Sequence, residues 1–533
     1  MYLNNMAPLP INSNPGWVFP KQKFMDADDM LKYLAKLIFG LCNFKQQLES
    51  NNLPEELAPG RSGGPKMNLC MKQYERLLNA YRKPGNGHDV LECSEASKAR
   101  ENEHIIVMAY NHLFKMPVKV DGKWLDLKQL FCLLSGIQAQ SETLEQVPIK
   151  KRIPLLTSEA RNVWFEAREM LIQDDNNVKV LDTIESCLFV ACLDYVFQNP
   201  SDEERSQKDM FRQMLTGMGV RYNGSNRWFD KTIQLIVCMD GSNGMCYEHT
   251  AAEGVAVVTA TVNAFKLIET LNDESLFDGD SDTETCTFTK LDFNVDSALE
   301  KKILDAAEHF DKLDVDTDNE VFSFHDFGKS FIKTCNCSPD AFMQMSLQLA
   351  YFRLYETLCP TYESASTRRF HHGRVDSIRA SHPEALSWTK AMMDDQCTRD
   401  QRRDLFKKAI SKQTFVTKEN IFGEGVDIPL LGIRNATQVL WPDQVHPLFK
   451  DPTYSYSNLF KLSTSQVPIN LPGSYMGYGA VVPDGYGVSY NLQNDQVIFA
   501  ICSFFSCEST NSRRFAEALT KSLQEMKDLF IEE

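Results

Sequence analysis

The stretch YEHTAAEG at residues 247–254, followed by the apolar run VAVV at 255–258, marks a junction between two elements of secondary structure. Residues 231–239 ahead of it form an apolar run that predicts a strand, and apolar side chains after it recur at three- and four-residue steps. We therefore predict that a second strand ends at His249 and that a helix runs over about residues 251–271.

His249 stands at this junction beside acidic groups, and a neutral imidazole is well suited to accept a proton near pH 7. The positive end of the following helix disfavours the imidazolium, and Glu253 can orient the ring if the turn is helical. Two other interpretations stay open. A lone histidine is more often structural, and the same His–Glu spacing can serve a metal, although no third ligand is evident.

The composition of the 533-residue chain restricts its partners. The net charge of −16 disfavours nucleic acid or an anionic membrane surface as a partner. The 15 cysteines are scattered and follow no apolar leader, so we expect reduced thiols in a cytoplasmic protein. No apolar run approaches the ~20 residues that span a bilayer, so no transmembrane segment is expected.

Strands alternate with helices along the whole chain, which predicts α/β layers in two domains. An acidic stretch at residues 314–319 suggests the boundary, giving domains at 1–314 and 315–533. Asp26 is a candidate cap for a helix over residues 26–48, and Ser338 with Pro339 has the form of a cap and first position of another helix.

Two further clusters are candidates for chemistry. Lys329 and Lys333 follow a glycine at a spacing of four, which suits a phosphate-bearing ligand, although a solvated basic face is an equal alternative. Ser463 and Ser465 alternate along a predicted strand and so point to one face, where they are able to bind an oxyanion. Surface strands carry the same alternation. Cys335 and Cys337 lack a second pair nearby, so we expect no metal site there.

Six motifs, taken together and in this order, resemble those of the carnitine/choline acyltransferases, and the match runs over almost the whole chain. They are YEHxxxEG at 247–254, SPDAF at 338–342, TYESAS at 361–366, GRxDxIR at 373–379, STSQVP at 463–468 and VVPDGYG at 481–487.

The resemblance implies an α/β fold of two chloramphenicol-acetyltransferase-like domains with the active-site tunnel between them. Domain 1–314 would be catalytic, and domain 315–533 would bind coenzyme A and the acceptor. Acetyl-CoA would be a cosubstrate, with no permanently bound cofactor and no metal, and a monomer is expected. Family members carry a further N-terminal segment before the part that matches residues 1–3, and we expect this chain to lack it.

The resemblance also assigns roles to single residues. His249 would be the general base with Glu253 beside it, and Ser465 would help to hold the oxyanion. The residues expected at coenzyme A are Lys329, Lys333, Asp340 and Gln466. Those expected around the acceptor are Tyr2, Tyr362, Ser364, Val375, Ser463 and Tyr478, a setting that suits a quaternary ammonium through cation–π attraction.

The acceptor implied by the resemblance is choline, whose hydroxyl would take the acetyl group of acetyl-CoA to give acetylcholine. Carnitine-specific members carry threonine at the position of Val375 and arginine at that of Ile428, both serving the carnitine carboxylate. A buried arginine without its anionic partner would be costly. Ser377 and Ile428 also depart from the asparagines usual in choline-specific members. Two alternatives therefore stay open: a carnitine acyltransferase, and an inactive relative that only binds ligand.

Overall fold

The computed structural model describes residues 2–95, 97–197, 205–271, 274–277 and 287–531. They form two compact units. The first comprises Met1–Pro54, Met71–Asp316 and Ile469–Met476, and the second comprises Glu55–Cys70, Thr317–Pro468 and Gly477–Glu533. The predicted mixed α/β architecture is confirmed. No helix among the described residues is both long and apolar enough to cross a membrane.

The strands of the described residues are, in chain order, β1 (Gly16–Val18), β2 (Leu57–Ala58), β3 (Met67–Asn68), β4 (Ala80–Lys83), β5 (Val90–Cys93), β6 (Glu103–Ala109), β7 (His112–Val120), β8 (Lys123–Trp124), β9 (Val190–Asp194), β10 (Ile233–Cys238), β11 (Asn243–Tyr247), β12 (Thr289–Leu291), β13 (Thr317–Phe324), β14 (Thr361–Ser366), β15 (Val375–Ile378), β16 (Leu462–Gln466), β17 (Tyr475–Gly477), β18 (Tyr486–Leu492) and β19 (Val497–Phe504).

The α-helices of the same residues are α1 (Ala27–Glu49), α2 (Leu127–Thr143), α3 (Arg161–Leu171), α4 (Asp175–Glu185), α5 (Gln207–Thr216), α6 (Gly254–Ile268), α7 (Ser297–Asp316), α8 (Lys329–Thr334), α9 (Pro339–Tyr355), α10 (Pro383–Met393), α11 (Arg399–Ile421), α12 (Asp427–Leu440), α13 (Pro447–Lys450), α14 (Pro452–Ser457) and α15 (Ser512–Asp528).

The first unit is built on a mixed sheet with the strand order β12-β7-β6-β9-β10-β11-β1-β17, and β8 pairs with β7 off this path. β9 runs parallel to β6 and β10, whereas β11 runs antiparallel to β10 and β1. The register sets Tyr247 opposite Ile233, and β11 ends at Tyr247, two residues before the predicted strand end at His249.

Helix α1 shows how the sequence specifies this unit. Asp26 accepts a hydrogen bond from the N–H of Asp29, which confirms it as the predicted cap. The apolar side of the helix is buried, and Gly40 faces Ala264 of α6, where an added Cβ would lie 2.6 Å from the Cβ of Ala264. The missing side chain at Gly40 thus allows the close approach of α1 to the helix that follows His249.

The second unit is built on a six-stranded sheet with the order β13-β19-β18-β16-β14-β15. One face packs against α9, α10, α11 and α15 through a core that includes Phe342, Trp388, Phe406 and Phe515. Helix α9 begins as predicted, because Ser338 accepts a hydrogen bond from the N–H of Ala341 and Pro339 takes the first helical position.

Two short segments divide the chain differently from the predicted domains 1–314 and 315–533. Residues 469–476 belong to the first unit, because the Trp17 indole donates to Ser474 Oγ at 2.7 Å and β17 lies beside β1. Residues 55–70 belong to the second unit, where Cys70 and Glu56 bind Arg368. The sequence does not indicate which sheet a two- or three-residue strand joins, since both segments lack a distinctive periodicity.

Candidate active site

His249 lies in a turn, residues 248–253, that connects β11 to α6; we call it the His249 turn. The predicted start of the helix at about residue 251 is wrong. Glu253 is the N-cap and has an extended backbone, with φ −76° and ψ 155°, so helical geometry begins at Gly254. The N–H of Glu253 donates to Gln73 Oε1 at 2.8 Å, which fixes the point where the turn enters the helix.

The His249 ring is partly accessible, with 22% of its side chain exposed. Its Nε2 atom lies 3.6 Å from Oε2 of Glu253, a charge contact that is longer than a hydrogen bond. The two side chains thus lie close together although the turn is not helical, which was the condition of the prediction. The rings of Tyr2 and Tyr247 both lie near the imidazole ring, with centroids 5.7 Å and 5.8 Å from that of His249.

The backbone on both sides of His249 is held by its neighbours. The buried carboxylate of Glu248 accepts hydrogen bonds from the Thr250 N–H at 3.0 Å and from Thr250 Oγ1 at 2.5 Å. The N–H of His249 itself donates to the carbonyl of Ser13 at 3.1 Å. His249 thus has a fixed backbone and a partly accessible ring, an arrangement compatible with general base catalysis.

The second unit carries the predicted hydroxyl groups on one face of its sheet. Strands β14, β16 and β18 are parallel where they pair, and the register sets Tyr362 opposite Ser463 and Ser465 opposite Ser489. Residues opposite each other share a face, and side chains alternate along each strand. We call the resulting surface the hydroxyl face; its members are Tyr362, Ser364, Val375, Ser377, Ser463, Ser465 and Ser489.

Two members of the hydroxyl face have informative surroundings. Ser463 Oγ donates to Tyr478 Oη at 3.5 Å, and burial raises the pKa of the Tyr478 hydroxyl, which therefore stays protonated at neutral pH. Ser465 is only partly buried, whereas the Ser377 hydroxyl is buried and has no hydrogen-bond partner among the described residues. The predicted acceptor residues of this unit, Tyr362, Ser364, Val375, Ser463 and Tyr478, thus lie together with Ser465.

The residues predicted at coenzyme A lie elsewhere in the same unit. Lys329 and Lys333 are exposed on α8, which begins where the N–H groups of Lys329 and Ser330 donate to Gln493 and Asn494 carbonyls. Asp340 in the first turn of α9 accepts a hydrogen bond from Tyr490 Oη at 2.6 Å. Gln466 is exposed and pairs in register with Tyr490. Its side chain alternates with that of Ser465 and so points away from the hydroxyl face.

A carboxyl group lies buried beneath Asp340. Glu363 is fully enclosed, and the hydroxyl of Tyr490 lies 3.2 Å from its Oε1. Burial, reinforced by repulsion from Asp340, raises the pKa of Glu363 well above its usual range. Because Glu363 is neutral, the core does not contain an unpaired negative charge next to the carboxylate of Asp340.

Comparison with known proteins identifies the chain as an acyltransferase. Residues 1–521 match the sequence model of the family described as Choline/Carnitine o-acyltransferase. The choline O-acetyltransferase of Drosophila melanogaster is 38% identical, with 99% of this chain and 78% of that protein covered. The Sus scrofa choline O-acetyltransferase is 40% identical, covering 99% and 81%. The carnitine O-acetyltransferase of Rattus norvegicus is 37% identical, covering 99% and 82%.

The chain belongs to the choline/carnitine O-acyltransferase family. The resemblance inferred from the six motifs is thereby confirmed, whereas the roles of the individual site residues stay predictions.

Two residues that contact the His249 turn were not predicted from the sequence. Gln73 and Arg82 contact the His249 turn from more than 160 positions away, and no local pattern marks them. On the hydroxyl face of the second unit, Ser489 was also not predicted, although its strand alternates small or polar residues at 487, 489 and 491 with Val488 and Tyr490. That alternation was a readable signal for one face of β18.

Proposed function

We propose that this chain transfers the acetyl group of acetyl-CoA to the hydroxyl of choline, giving acetylcholine and CoA. Choline O-acetyltransferases at 38–40% identity over 99% of the chain support this reaction. The carnitine O-acetyltransferase at 37% is almost as similar, so overall identity alone does not select the acceptor.

One observation favours choline over carnitine. The strand residues on the hydroxyl face of β14, β15, β16 and β18, all of which the structure describes, include no basic side chain. Carnitine carries a carboxylate, and burying that charge without a cationic partner would be costly. Choline carries only a quaternary ammonium and a hydroxyl, which tyrosine rings and hydroxyl groups accommodate.

The proposed chemistry is direct transfer without an acyl-enzyme. His249 accepts the proton of the choline hydroxyl, and the choline oxygen attacks the thioester carbonyl. Ser465 donates to the oxygen of the tetrahedral intermediate, an interaction worth roughly 3–4 kcal/mol in comparable sites. The C–S bond then breaks, and the protonated His249 returns its proton to the CoA thiolate. Every proton is accounted for by one base.

The remaining assignments follow from this reaction. Lys329 and Lys333 would meet the phosphates of CoA, with Asp340 and Gln466 near the same ligand, while Tyr2, Tyr362, Ser364, Val375, Ser463 and Tyr478 would surround the acceptor. Acetyl-CoA enters and leaves as CoA in each cycle, so it is a cosubstrate and not a resident cofactor. We further propose that one chain suffices for the reaction, which agrees with the expectation of a monomer.

The test compares two acceptors. The rate of CoA release from acetyl-CoA is measured over a range of choline concentrations and, separately, of carnitine concentrations. We expect a higher kcat/KM with choline. A higher kcat/KM with carnitine would assign the chain to the second reaction of the family, and binding of CoA without transfer to either acceptor would make it a ligand-binding relative.

A further inference from the structure

Arg82 is a buried side chain of β4 that no step of the proposed mechanism uses. It has no solvent exposure, yet all five of its N–H groups have acceptors. The Nε atom donates to Asp89 at 2.7 Å. The Nη1 atom donates to Glu248 Oε1 at 3.2 Å and to Thr250 Oγ1 at 3.1 Å. The Nη2 atom donates to the carbonyls of Tyr2 and Asn5, both at 2.9 Å.

These acceptors belong to three segments that are far apart in the sequence. Tyr2 is the residue whose ring lies beside the His249 ring. Asp89 lies in the connection between β4 and β5 and accepts a hydrogen bond from the guanidinium. Glu248 and Thr250 flank His249 directly. One guanidinium thus holds the side chains of the two residues that flank the proposed base, and the backbone of the tyrosine whose ring neighbours it.

Arg161 provides a comparison within the same buried cluster. It is equally enclosed and shares Asp89 as an acceptor, but its other bonds go to Asp230 at 2.6 Å and to the Arg82 carbonyl at 3.0 Å. Burial raises the pKa of Asp230, opposed by its bonds to Arg161, Trp164 and Tyr81. The described hydrogen bonds of the Arg161 side chain therefore balance the buried charges of Asp89 and Asp230, and none of them reaches the His249 turn.

We propose that Arg82 is a positioning residue for the acyl transfer, acting through the His249 turn and the backbone of Tyr2. The inference rests on the proposed role of His249 as the base. A lysine at this position keeps the charge but offers three donors from one point, so it cannot span acceptors in three directions. The His249 ring would then lose its alignment while coenzyme A binding stays unchanged.

The experiment compares Arg82→Lys with Arg161→Lys in the full chain. Each variant is assayed well below its own melting temperature, and the folded fraction is measured by circular dichroism. We expect kcat to fall about 100-fold in Arg82→Lys at an unchanged KM for acetyl-CoA. Arg161→Lys should lose less than about 5-fold in kcat although it disturbs the same buried cluster.

A second variant covers the case in which Arg82→Lys does not fold. Glu248→Gln keeps the shape of the turn but replaces the charged acceptor of Arg82, and kcat should fall about 10-fold with the same unchanged KM for acetyl-CoA. Equal losses of kcat in the Arg82 and Arg161 variants, each in proportion to the unfolded fraction, would overturn the proposal. So would wild-type kcat in Glu248→Gln.

A readout without substrate separates this inference from the proposed function. The chain is labelled with isotopes at histidine, and the NMR signal of each histidine ring is recorded. The signal of His249 is identified among those of the ten histidines as the one lost in His249→Gln. We expect Arg82→Lys to move that signal and Arg161→Lys to leave it in place. A wild-type chain inactive with both acceptors would refute the proposed function while this comparison still tests Arg82. An unmoved signal in Arg82→Lys would refute the positioning role alone.

Discussion

The His249 turn and the hydroxyl face are held in place by different forces. On the first unit's side, one buried cation, Arg82, donates to Glu248 and Thr250, and the Glu248 carboxylate in turn accepts the Thr250 N–H. In the second unit, Ser463 and Ser465 sit on a strand whose backbone is paired on both sides. A strand keeps its position when one side chain is shortened, whereas a turn loses its position when one shared cation is lost. Single substitutions should therefore have separable effects in the two regions.

The largest effect is expected at the proposed base. His249→Ala removes the only group to which proton transfer is assigned, so kcat should fall by about 10⁴-fold. Binding of CoA, measured by calorimetry, should stay within a few-fold of wild type, because the predicted phosphate contacts lie on α8. Turnover that survives in this variant would rule out the mechanism.

The next largest effect is expected on the hydroxyl face. Ser465→Ala removes the proposed oxyanion donor, and kcat should fall roughly 100- to 1000-fold without a change in the fold. Ser463→Ala, two residues along the same face, is the matched control and should mainly raise the KM for choline. If both variants changed only the KM for choline, Ser465 would have to be reassigned to the acceptor pocket.

A smaller effect is expected at the lysines of α8. Lys329→Gln and Lys333→Gln should each raise the KM for acetyl-CoA about 10-fold at unchanged kcat, because each removes a charge-assisted contact to phosphate. Lys408→Gln, an equally exposed lysine on α11, should leave the KM unchanged. Identical kinetics in all three variants would mean that α8 carries only a solvated basic face.

The smallest effect concerns stability and not rate. Glu363 has a raised pKa in the folded chain, so the folded state retains a proton that the unfolded state releases above pH ~4.5. The free energy of unfolding should therefore decrease as pH rises from 5 towards the folded pKa, with a slope of at most ~1.4 kcal/mol per pH unit from this group. Glu363→Gln should reduce that slope in urea titrations at pH 5, 6, 7 and 8. Parallel curves would show that Glu363 is ionised.

Local signals predicted much of this molecule. Asp26 and Ser338 cap helices as expected, since capping depends on side-chain oxygens next to the helix start. The alternation of Ser463 and Ser465 correctly predicted a shared face. The start of α6 was predicted three residues early, because the alanines at 251 and 252 favour a helix that the turn geometry delays to Gly254.

Contacts between residues far apart in the chain could not be predicted from the sequence. Arg82 appears as an ordinary charged residue before Lys83 and Pro84, and only the fold brings it to Glu248 and Thr250. The same holds for β17, whose three residues have no period of their own and take their place from the Trp17–Ser474 bond. Pairings over hundreds of residues depend on tertiary packing, which no local pattern encodes.

The position of β17 has a consequence for synthesis of the chain on the ribosome. β1 lies between β11 and β17, so until residue 477 has left the exit tunnel one side of β1 offers unpaired N–H and C=O groups. More than 450 residues are made between the two strands. The sheet of the nascent first unit therefore has an unpaired edge at β1 for most of translation. Chains halted before residue 475 should bind chaperones and associate with one another through this edge.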